Sequence, residues 1–365
     1  QMQLQNNTFL IHGAYLPYLK TSKELKTKPV QHSVKELQGL GIKPDMIVTR
    51  NEISITNKER EKISMFCNVP TTHVVESVDL PSVYEVPFKM KEQNVDVTIA
   101  NHFGIKLSGS THSKLKETIN HLYNSHGEVV VGVVGKYTAL EDSYMSVIES
   151  LKHAGIANET KVKINLIAAQ DYTIDQLKEC DALIVPGGFG NSGIEGKLNA
   201  IKYARENDVP FLGICLGMQL STIEFGRNVC GLDVQHGEMN PEAKEKIIDI
   251  LEGQDLNNLG GTLRLGDYKC DLVEGTLARE VYGAESVLER HRHRYEFNNK
   301  YKEVLEQNGM VFSGMNTKDN LVEIIEIPAN KYFIAVQYHP ELTSKLTEPN
   351  PLFVNLVKKA MNGDK

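Results

Sequence analysis

The sequence lacks the features that mark membrane, secreted and zinc-stabilised proteins. No apolar run approaches the roughly 18–20 residues that a helix needs to cross a bilayer, and no signal-peptide pattern opens the chain. The five cysteines are odd in number and have no CxxC spacing, which argues against a disulfide framework or a structural zinc. We therefore expect a soluble, cytoplasmic protein in a reducing compartment.

The chain also lacks a strong charge of either sign. Its formal net charge is −7, which provides no overall attraction to nucleic acid or to an anionic membrane. We expect neither as a partner. With 365 residues, of which 41% are hydrophobic and 24% charged, it has the length and composition of a two-domain globular protein.

The order of apolar and helix-like segments predicts two α/β domains with parallel sheets. Short apolar runs alternate with helical stretches over residues 1–104, a pattern typical of a parallel sheet. Residues 105–127 are polar, and we interpret them as a linker in which 114–123 could be helical. A buried-strand signature at 128–135 opens the second domain, which takes up residues 128–365.

The strongest local motif is Gly213-Ile-Cys215-Leu-Gly217, which follows an apolar strand and precedes a helix. Glycines on both sides permit a sharp turn that holds a nucleophile in a strained, exposed position, and the helix N-terminus favours a thiolate. The alternative is a buried structural cysteine, the commoner state of a cytosolic cysteine. The paired glycines favour the nucleophile.

Two further segments supply partners for this cysteine. His339 follows a predicted strand, where it could act as general base, and Glu341 could orient its imidazole from the same side of the chain. The glycine-rich turn at 187–190 also follows a strand. There the N–H of Gly188, together with that of Leu216, could stabilise a developing oxyanion.

The cysteine turn at 213–217, the glycine turn at 187–190 and the His-Pro-Glu at 339–341 together resemble a class I glutamine amidotransferase domain. Longer segments are similar to the CTP synthase family, and the resemblance extends over nearly the whole chain. They are residues 25–37, 62–70, 213–219, 259–266, 289–296 and 321–326.

The resemblance implies a domain plan. Residues 1–104 would be the C-terminal part of the synthetase (amidoligase) domain, a P-loop-like fold truncated at its N-terminus, and residues 128–365 a complete class I amidotransferase fold. The family's ATP-binding P-loop and the acidic residues that hold Mg²⁺ have no counterpart in this sequence. We therefore expect a portion of a longer, tetrameric enzyme, with no cofactor bound by this chain and with ATP and Mg²⁺ required in the intact enzyme.

The resemblance also implies which residues bind glutamine. In addition to Gly188 and Leu216 these are Gln219, Glu238 and Arg294. The chemistry agrees, because an arginine can clamp the α-carboxylate in a bidentate pair and a glutamate can accept from the α-ammonium. Without the resemblance, 290–294 would be interpreted as a solvated basic strand or a nucleic-acid patch. The segment before Glu238, Gln-His-Gly, differs from the family's usual Asn-Ser/Thr.

Nucleotide ligands are implied for the first domain. Positions that match the family's UTP/CTP site are Lys26, Thr27, Lys28, Gln31 and Lys62, and Leu80 matches a backbone contact to the adenine of ATP more weakly. Taken alone, the lysines would be solvated surface residues. No metal ligand is predicted. The family's Tyr-Arg-Gly, implicated in activation by GTP, is replaced by 191–193 (Asn-Ser-Gly), so we expect weak or altered GTP activation.

The resemblance therefore implies a CTP synthase or its C-terminal portion, with glutamine, UTP and CTP as ligands. Cys215 would release ammonia from glutamine for the ATP-dependent amination of UTP. Two alternatives remain open at this stage. One is a free-standing glutamine or γ-glutamyl hydrolase, and the other is a non-catalytic assembly subunit.

Overall fold

The computed structural model describes residues 7–108, 113–136, 141–188, 190–250 and 264–362. It divides the chain into two compact units, Gln1–His112 and Ser113–Lys365. Part of the segment 259–266, on which the family resemblance rests, lies outside the described residues.

The first unit is a small α/β structure. Its elements are β1 (Ile11–Tyr15), β2 (Tyr18–Leu19), β3 (Glu24–Leu25), α1 (Lys28–Gly39), β4 (Met46–Asn51), α2 (Asn57–Cys67), β5 (Val74–Val78), α3 (Val86–Glu92) and α4 (Val95–Phe103). Strands β1, β4 and β5 pair in that order in a parallel sheet. Apolar side chains of the sheet and of α1 and α2 form its core, including Val30, Ile47 and Ile63. The predicted parallel β/α alternation is confirmed.

The second unit contains the remaining helices and strands. They are α5 (Ser113–Tyr123), β6 (Glu128–Gly135), α6 (Met145–Ala157), β7 (Lys161–Ala168), α7 (Ile174–Lys178), β8 (Ala182–Val185), α8 (Ile194–Glu206), β9 (Phe211–Ile214), α9 (Leu216–Asn228), β10 (Gln235–His236), β11 (Lys246–Ile250), β12 (Arg264–Leu272), α10 (Leu277–Tyr282), β13 (Ser286–His293), β14 (Tyr295–Phe297), α11 (Lys302–Gln307), β15 (Val311–Asn316), β16 (Leu321–Glu326), β17 (Phe333–Val336) and α12 (Pro351–Met361). Helix α5 lies inside the stretch interpreted as a linker and packs on α6.

A mixed sheet organises this unit, with strand order β13-β12-β15-β16-β17-β9-β8-β6-β7. The half from β17 to β7 is parallel, as expected. The half from β13 to β16 is antiparallel, and the sequence analysis did not predict it. Strands β8, β9 and β17 are buried at every residue, so they read as continuous apolar runs.

Helices cover both faces of the parallel half. Helices α8 and α9 pack on one face around Leu198 and Met218, and α6 and α12 pack on the other around Leu151 and Leu356. The carboxyl ends of β8, β9 and β17 therefore meet at one edge of the sheet, between the two helical layers. None of the described helices is long and apolar enough to cross a membrane.

Candidate active site

Cys215 lies in the turn between β9 and α9 and has a positive φ, with φ 51° and ψ −101°. This conformation is uncommon for a residue with a Cβ and is maintained only where the surroundings enforce it. The close contacts of the two flanking glycines show how the surroundings enforce it. A Cβ at Gly217 would lie 2.1 Å from the carbonyl oxygen of Val185, and one at Gly213 would lie 2.7 Å from the Cβ of Ala335. Neighbouring strands thus press directly on the turn.

His339 follows β17 and is held by Glu341, which lies in a short 3₁₀ turn at Pro340–Leu342. Nδ1 of His339 lies 2.7 Å from Oε1 of Glu341. A carboxylate can only accept, so Nδ1 carries a proton, and in the neutral imidazole Nε2 offers the lone pair. Nε2 is buried and has no hydrogen-bond partner among the described residues. Burial opposes the imidazolium, but the interactions with Cys215 and Glu341 outweigh it and raise the pKa of His339.

A cavity of about 290 Å³ brings the predicted catalytic residues together. Cys215, His339 and Glu341 line it, together with Gly187, Gly188 and Arg292. The cysteine itself is only 4% exposed, so the expectation of an exposed nucleophile needs correction: the thiol is reached through this cavity. A larger cavity of about 630 Å³ beside α8 contains none of the predicted residues, and volume alone would have misplaced the site.

The glycine turn after β8 passes close to nucleophile and base. A Cβ at Gly187 would lie 2.9 Å from Cε1 of His339 and 3.6 Å from the Cβ of Cys215. One at Gly188 would lie 3.5 Å from Cδ2 of Leu216, the first residue of α9. N–H groups in the first turn of a helix have no partner within that helix. The donation of two N–H groups to an oxyanion stays a prediction, and this proximity is compatible with it.

The other predicted glutamine-binding residues converge on Tyr295. Nε2 of Gln219 donates to the carbonyl oxygen of Tyr295 at 3.0 Å. Burial raises the pKa of the Tyr295 phenol, the Glu238 carboxylate raises it further, and the Arg294 guanidinium lowers it. Gln219 thus contacts the backbone of Tyr295, whereas Glu238 and Arg294 act electrostatically on its phenol, and none of the three lines the 290 Å³ cavity. Their binding of glutamine stays a prediction.

Two cations near the site were not selected from the sequence. Arg292 lines the catalytic cavity from β13. Lys197 on α8 is 2% exposed, and its Nζ lies 3.3 Å from the position that a Cβ at Gly188 would occupy. Burial lowers the pKa of Lys197 to about 8. No motif marked this lysine, because only the packing of α8 beneath the glycine turn brings it to the site.

A buried ionic network supports the wall formed by the antiparallel strands. Arg264 donates to Glu296 at 3.0 Å and to Glu323 at 2.9 Å, and all three side chains are buried. Along β13, His291 and His293 point inward while Arg290 and Arg292 are exposed. Strand β13 also accepts a hydrogen bond from the catalytic segment, since the N–H of His339 donates to the carbonyl oxygen of Arg290 at 2.8 Å. The basic strand inferred at 290–294 is thus half buried.

The predicted nucleotide-binding residues lie in the first unit. Thr27 is the N-cap residue of α1, and Nε2 of Gln31 donates to its Oγ1 at 3.0 Å. Lys26 forms an ion pair with Glu24. Nζ of Lys28 lies 5.6 Å from the centre of the Phe66 ring.

The two remaining nucleotide candidates follow other elements. Lys62 is exposed on α2, one helical turn before Phe66, and Leu80 is half-buried after β5. Nucleotide binding at all six positions stays a prediction.

Two family models match the chain, one for each unit. The model described as CTP synthase N-terminus matches residues 1–105, and the model described as glutamine amidotransferase class-I matches residues 139–359. A curated CTP synthase of Staphylococcus aureus (strain NCTC 8325 / PS 47) is 47% identical over 364 residues, which cover 98% of this chain and 68% of that protein. The chain belongs to the CTP synthase family.

A solved CTP synthase structure matches the second unit. It is the glutaminase domain of the Trypanosoma brucei enzyme with bound acivicin, 34% identical with a TM-score of 0.61, and the match covers 65% of this chain and 95% of that one. The predicted class I amidotransferase fold is therefore confirmed. Membership of the CTP synthase family bears out the function class that the motifs predicted, and it does not favour the free-standing hydrolase or the assembly subunit.

Magnesium is the ion that the CTP synthase resemblance implies for the ATP-dependent half. Within the described ranges, no three His, Cys, Asp or Glu side chains lie close enough together to hold a metal ion. We derive no step through a magnesium ion.

Proposed function

We propose that the second unit hydrolyses glutamine to glutamate and ammonia through a thioester on Cys215, and that the ammonia serves the amination of UTP to CTP. The observation that carries the proposal is the ordered pair His339–Glu341 at 2.7 Å. It leaves Nε2 without a partner among the described residues, in the cavity that also holds the strained Cys215.

The mechanism follows from these groups. The sulfur of Cys215 attacks the amide carbon of glutamine while His339 Nε2 holds the thiol proton, and the oxyanion lies against the N–H groups of Gly188 and Leu216. The imidazolium returns its proton to the leaving nitrogen, so ammonia departs and an acyl-thioester remains. Water, deprotonated by the same imidazole, then releases glutamate. Glu341 holds the imidazole tautomer throughout and stabilises its charged form.

The proposal extends to the nucleotide ligands of the first unit, to the oligomeric state and to the cellular compartment. UTP and CTP would bind at Lys26, Thr27, Lys28, Gln31 and Lys62, because lysine ammonium groups favour triphosphate oxygens. A homo-oligomer in the cytoplasm fits the family and the five free cysteines.

Ammonia release from glutamine, measured with a coupled dehydrogenase assay, tests the glutaminase half. We expect activity from the full chain and none from Cys215→Ala. Cys230→Ala is the matched control, because Cys230 is half-buried and does not line the catalytic cavity. Loss of activity in the control alone, or in neither variant, contradicts the assignment. For the nucleotide half, calorimetry with UTP should show binding that Lys62→Ala weakens.

A further inference from the structure

A continuous chain of buried polar side chains ends on the catalytic sulfur. Gln337, two residues before His339, is fully buried, and its Nε2 lies 3.7 Å from Sγ of Cys215. Its Oε1 lies 3.2 Å from Nε2 of Gln219. Oε1 of Gln219 lies 3.0 Å from Nε2 of His236, whose Nδ1 lies 3.1 Å from the backbone N of Glu238.

Backbone groups fix the direction of every hydrogen bond in this chain. The carbonyl of Tyr295 can only accept, so the Gln219 atom that faces it at 3.0 Å must be Nε2 and the other must be Oε1. An Oε1 facing His236 requires a proton on Nε2 of that imidazole. The N–H of Glu238 can only donate, which independently requires a bare Nδ1. Both ends demand the same neutral tautomer.

The fixed direction reaches the sulfur through Gln337. Because Nε2 of Gln219 donates, the Gln337 atom that faces it is the carbonyl Oε1, and its amide N–H therefore points at Cys215. Burial lowers the pKa of His236 to about 4, in agreement with a neutral imidazole. Gln337, Gln219 and His236 are each at most 4% exposed, so water does not compete for the bonds between their side chains.

We propose that His236, Gln219 and Gln337 form a directional hydrogen-bond relay that delivers one N–H donor to the catalytic sulfur and stabilises its thiolate. Gln337 contacts the reacting atom and acts beside His339. His236 is a positioning residue that acts through Gln219 and Gln337, and Gln219, a predicted glutamine contact, also passes the hydrogen-bond direction on to Gln337. The relay also ties the backbone of Glu238, a predicted contact for the substrate ammonium, to the nucleophile. This inference rests on the proposed glutaminase function.

A hydrogen bond to a charged acceptor is stronger than one to a neutral acceptor, so its loss should penalise the thiolate selectively. Gln337→Met keeps the approximate volume and removes the donor. We expect kcat for glutamine hydrolysis to fall about 10- to 100-fold with little change in KM. Alkylation of Cys215 by iodoacetamide should require a pH about one to two units higher. Gln337→Glu should be impaired more strongly, because it places an acceptor against the sulfur. His236→Leu should have a smaller effect, since Tyr295 still orients Gln219.

The experiment measures kcat, KM and the pH profile of Cys215 alkylation in the full chain, with the labelled peptide identified by mass spectrometry. Gln93→Met is the matched control, because Gln93 makes three hydrogen bonds in the first unit and lies outside the relay. It should behave as wild type. A Gln337→Met variant that folds with unchanged kcat and an unchanged alkylation profile overturns the relay and leaves Gln337 a packing role.

Folding and function failures are separable in this design. Thermal unfolding identifies a variant that has lost its fold. If Gln337→Met does not fold, the kcat values and alkylation profiles of Gln337→Glu and His236→Leu test the relay instead. If wild type releases no ammonia, the proposed function fails, yet the alkylation profiles still compare the relay variants. An identical profile in wild type and in all folded relay variants refutes the relay by itself.

Discussion

Gly217 offers the sharpest test of how packing holds the nucleophile. An alanine there would place its Cβ 2.1 Å from the carbonyl oxygen of Val185 and 3.1 Å from its carbonyl carbon, and both are backbone atoms of β8. A carbon and a carbonyl oxygen approach to about 3.3 Å. Helix α9 and β8 would therefore have to separate by about 1.2 Å. Cys215 immediately precedes α9, so this separation would displace the nucleophile.

The magnitude follows from two opposing contributions. Overpacking a rigid contact costs up to about 3 kcal/mol, and the gain from alanine over glycine in a helix is about 1 kcal/mol. We expect Gly217→Ala to lower the free energy of unfolding by about 2 kcal/mol. A displacement of about 1 Å at the nucleophile should reduce kcat for glutamine hydrolysis about 100-fold.

Chemical denaturation and the ammonia assay measure both effects. Gly226→Ala is the matched control in the same helix, because its nearest neighbours are side-chain methyl groups, Val234 Cγ2 at 3.1 Å and Ile247 Cδ1 at 3.4 Å. It should retain wild-type activity and lie within about 1 kcal/mol of wild-type stability. Wild-type stability and kcat in Gly217→Ala would refute the reasoning.

Three further predictions concern charge. Glu341→Gln should lower kcat about 100-fold in the ammonia assay, because the imidazolium loses its carboxylate, while the exposed Glu117→Gln should change nothing. Arg264→Met should lower the free energy of unfolding, measured in urea, by about 3–5 kcal/mol, since it leaves Glu296 and Glu323 buried without their cation. Lys178→Met removes an exposed ion pair and should leave that free energy nearly unchanged; equal losses would contradict this. The pKa of His236 is lowered to about 4, so between pH 6.5 and 4 the unfolded chain binds a proton that the folded one does not, and acid should cost up to about 3 kcal/mol. His236→Gln lacks this cost, so its melting temperature should rise relative to that of wild type as the pH falls. A difference between the two melting temperatures that does not change with pH would contradict this.

The features predicted correctly from the sequence are those that neighbouring residues specify. The turn at Cys215, the strand before His339 and the glycines after β8 are coded by adjacent residues, and the structure has these turns where the motifs lie. The parallel strands were recognisable because burial on both faces makes them continuously apolar.

Long-range pairing explains what the sequence did not reveal. Strand β13 alternates buried Glu289, His291 and His293 with exposed residues, so polar side chains face inward and the usual apolar signal is missing. Strand β12 pairs with this strand, and Tyr282, Thr343 and Asn350 donate to Glu289; none of these long-range partners could be chosen from the sequence. The contact between Gln219 and Gln337 likewise joins residues far apart in the chain, from α9 and the end of β17. Sequence motifs identify the reacting groups, whereas the residues that orient those groups are brought together only by the packing of the fold.

The glutamyl thioester on Cys215 is the central claim, and trapping it is the most direct test. Wild-type protein mixed with glutamine and quenched in acid within milliseconds should show, by intact-mass spectrometry, a fraction heavier by one glutamyl group. Peptide mapping should place that group on Cys215, and Cys215→Ala should show no adduct and no ammonia. Ammonia release by Cys215→Ala, or an adduct on another residue, would contradict the account.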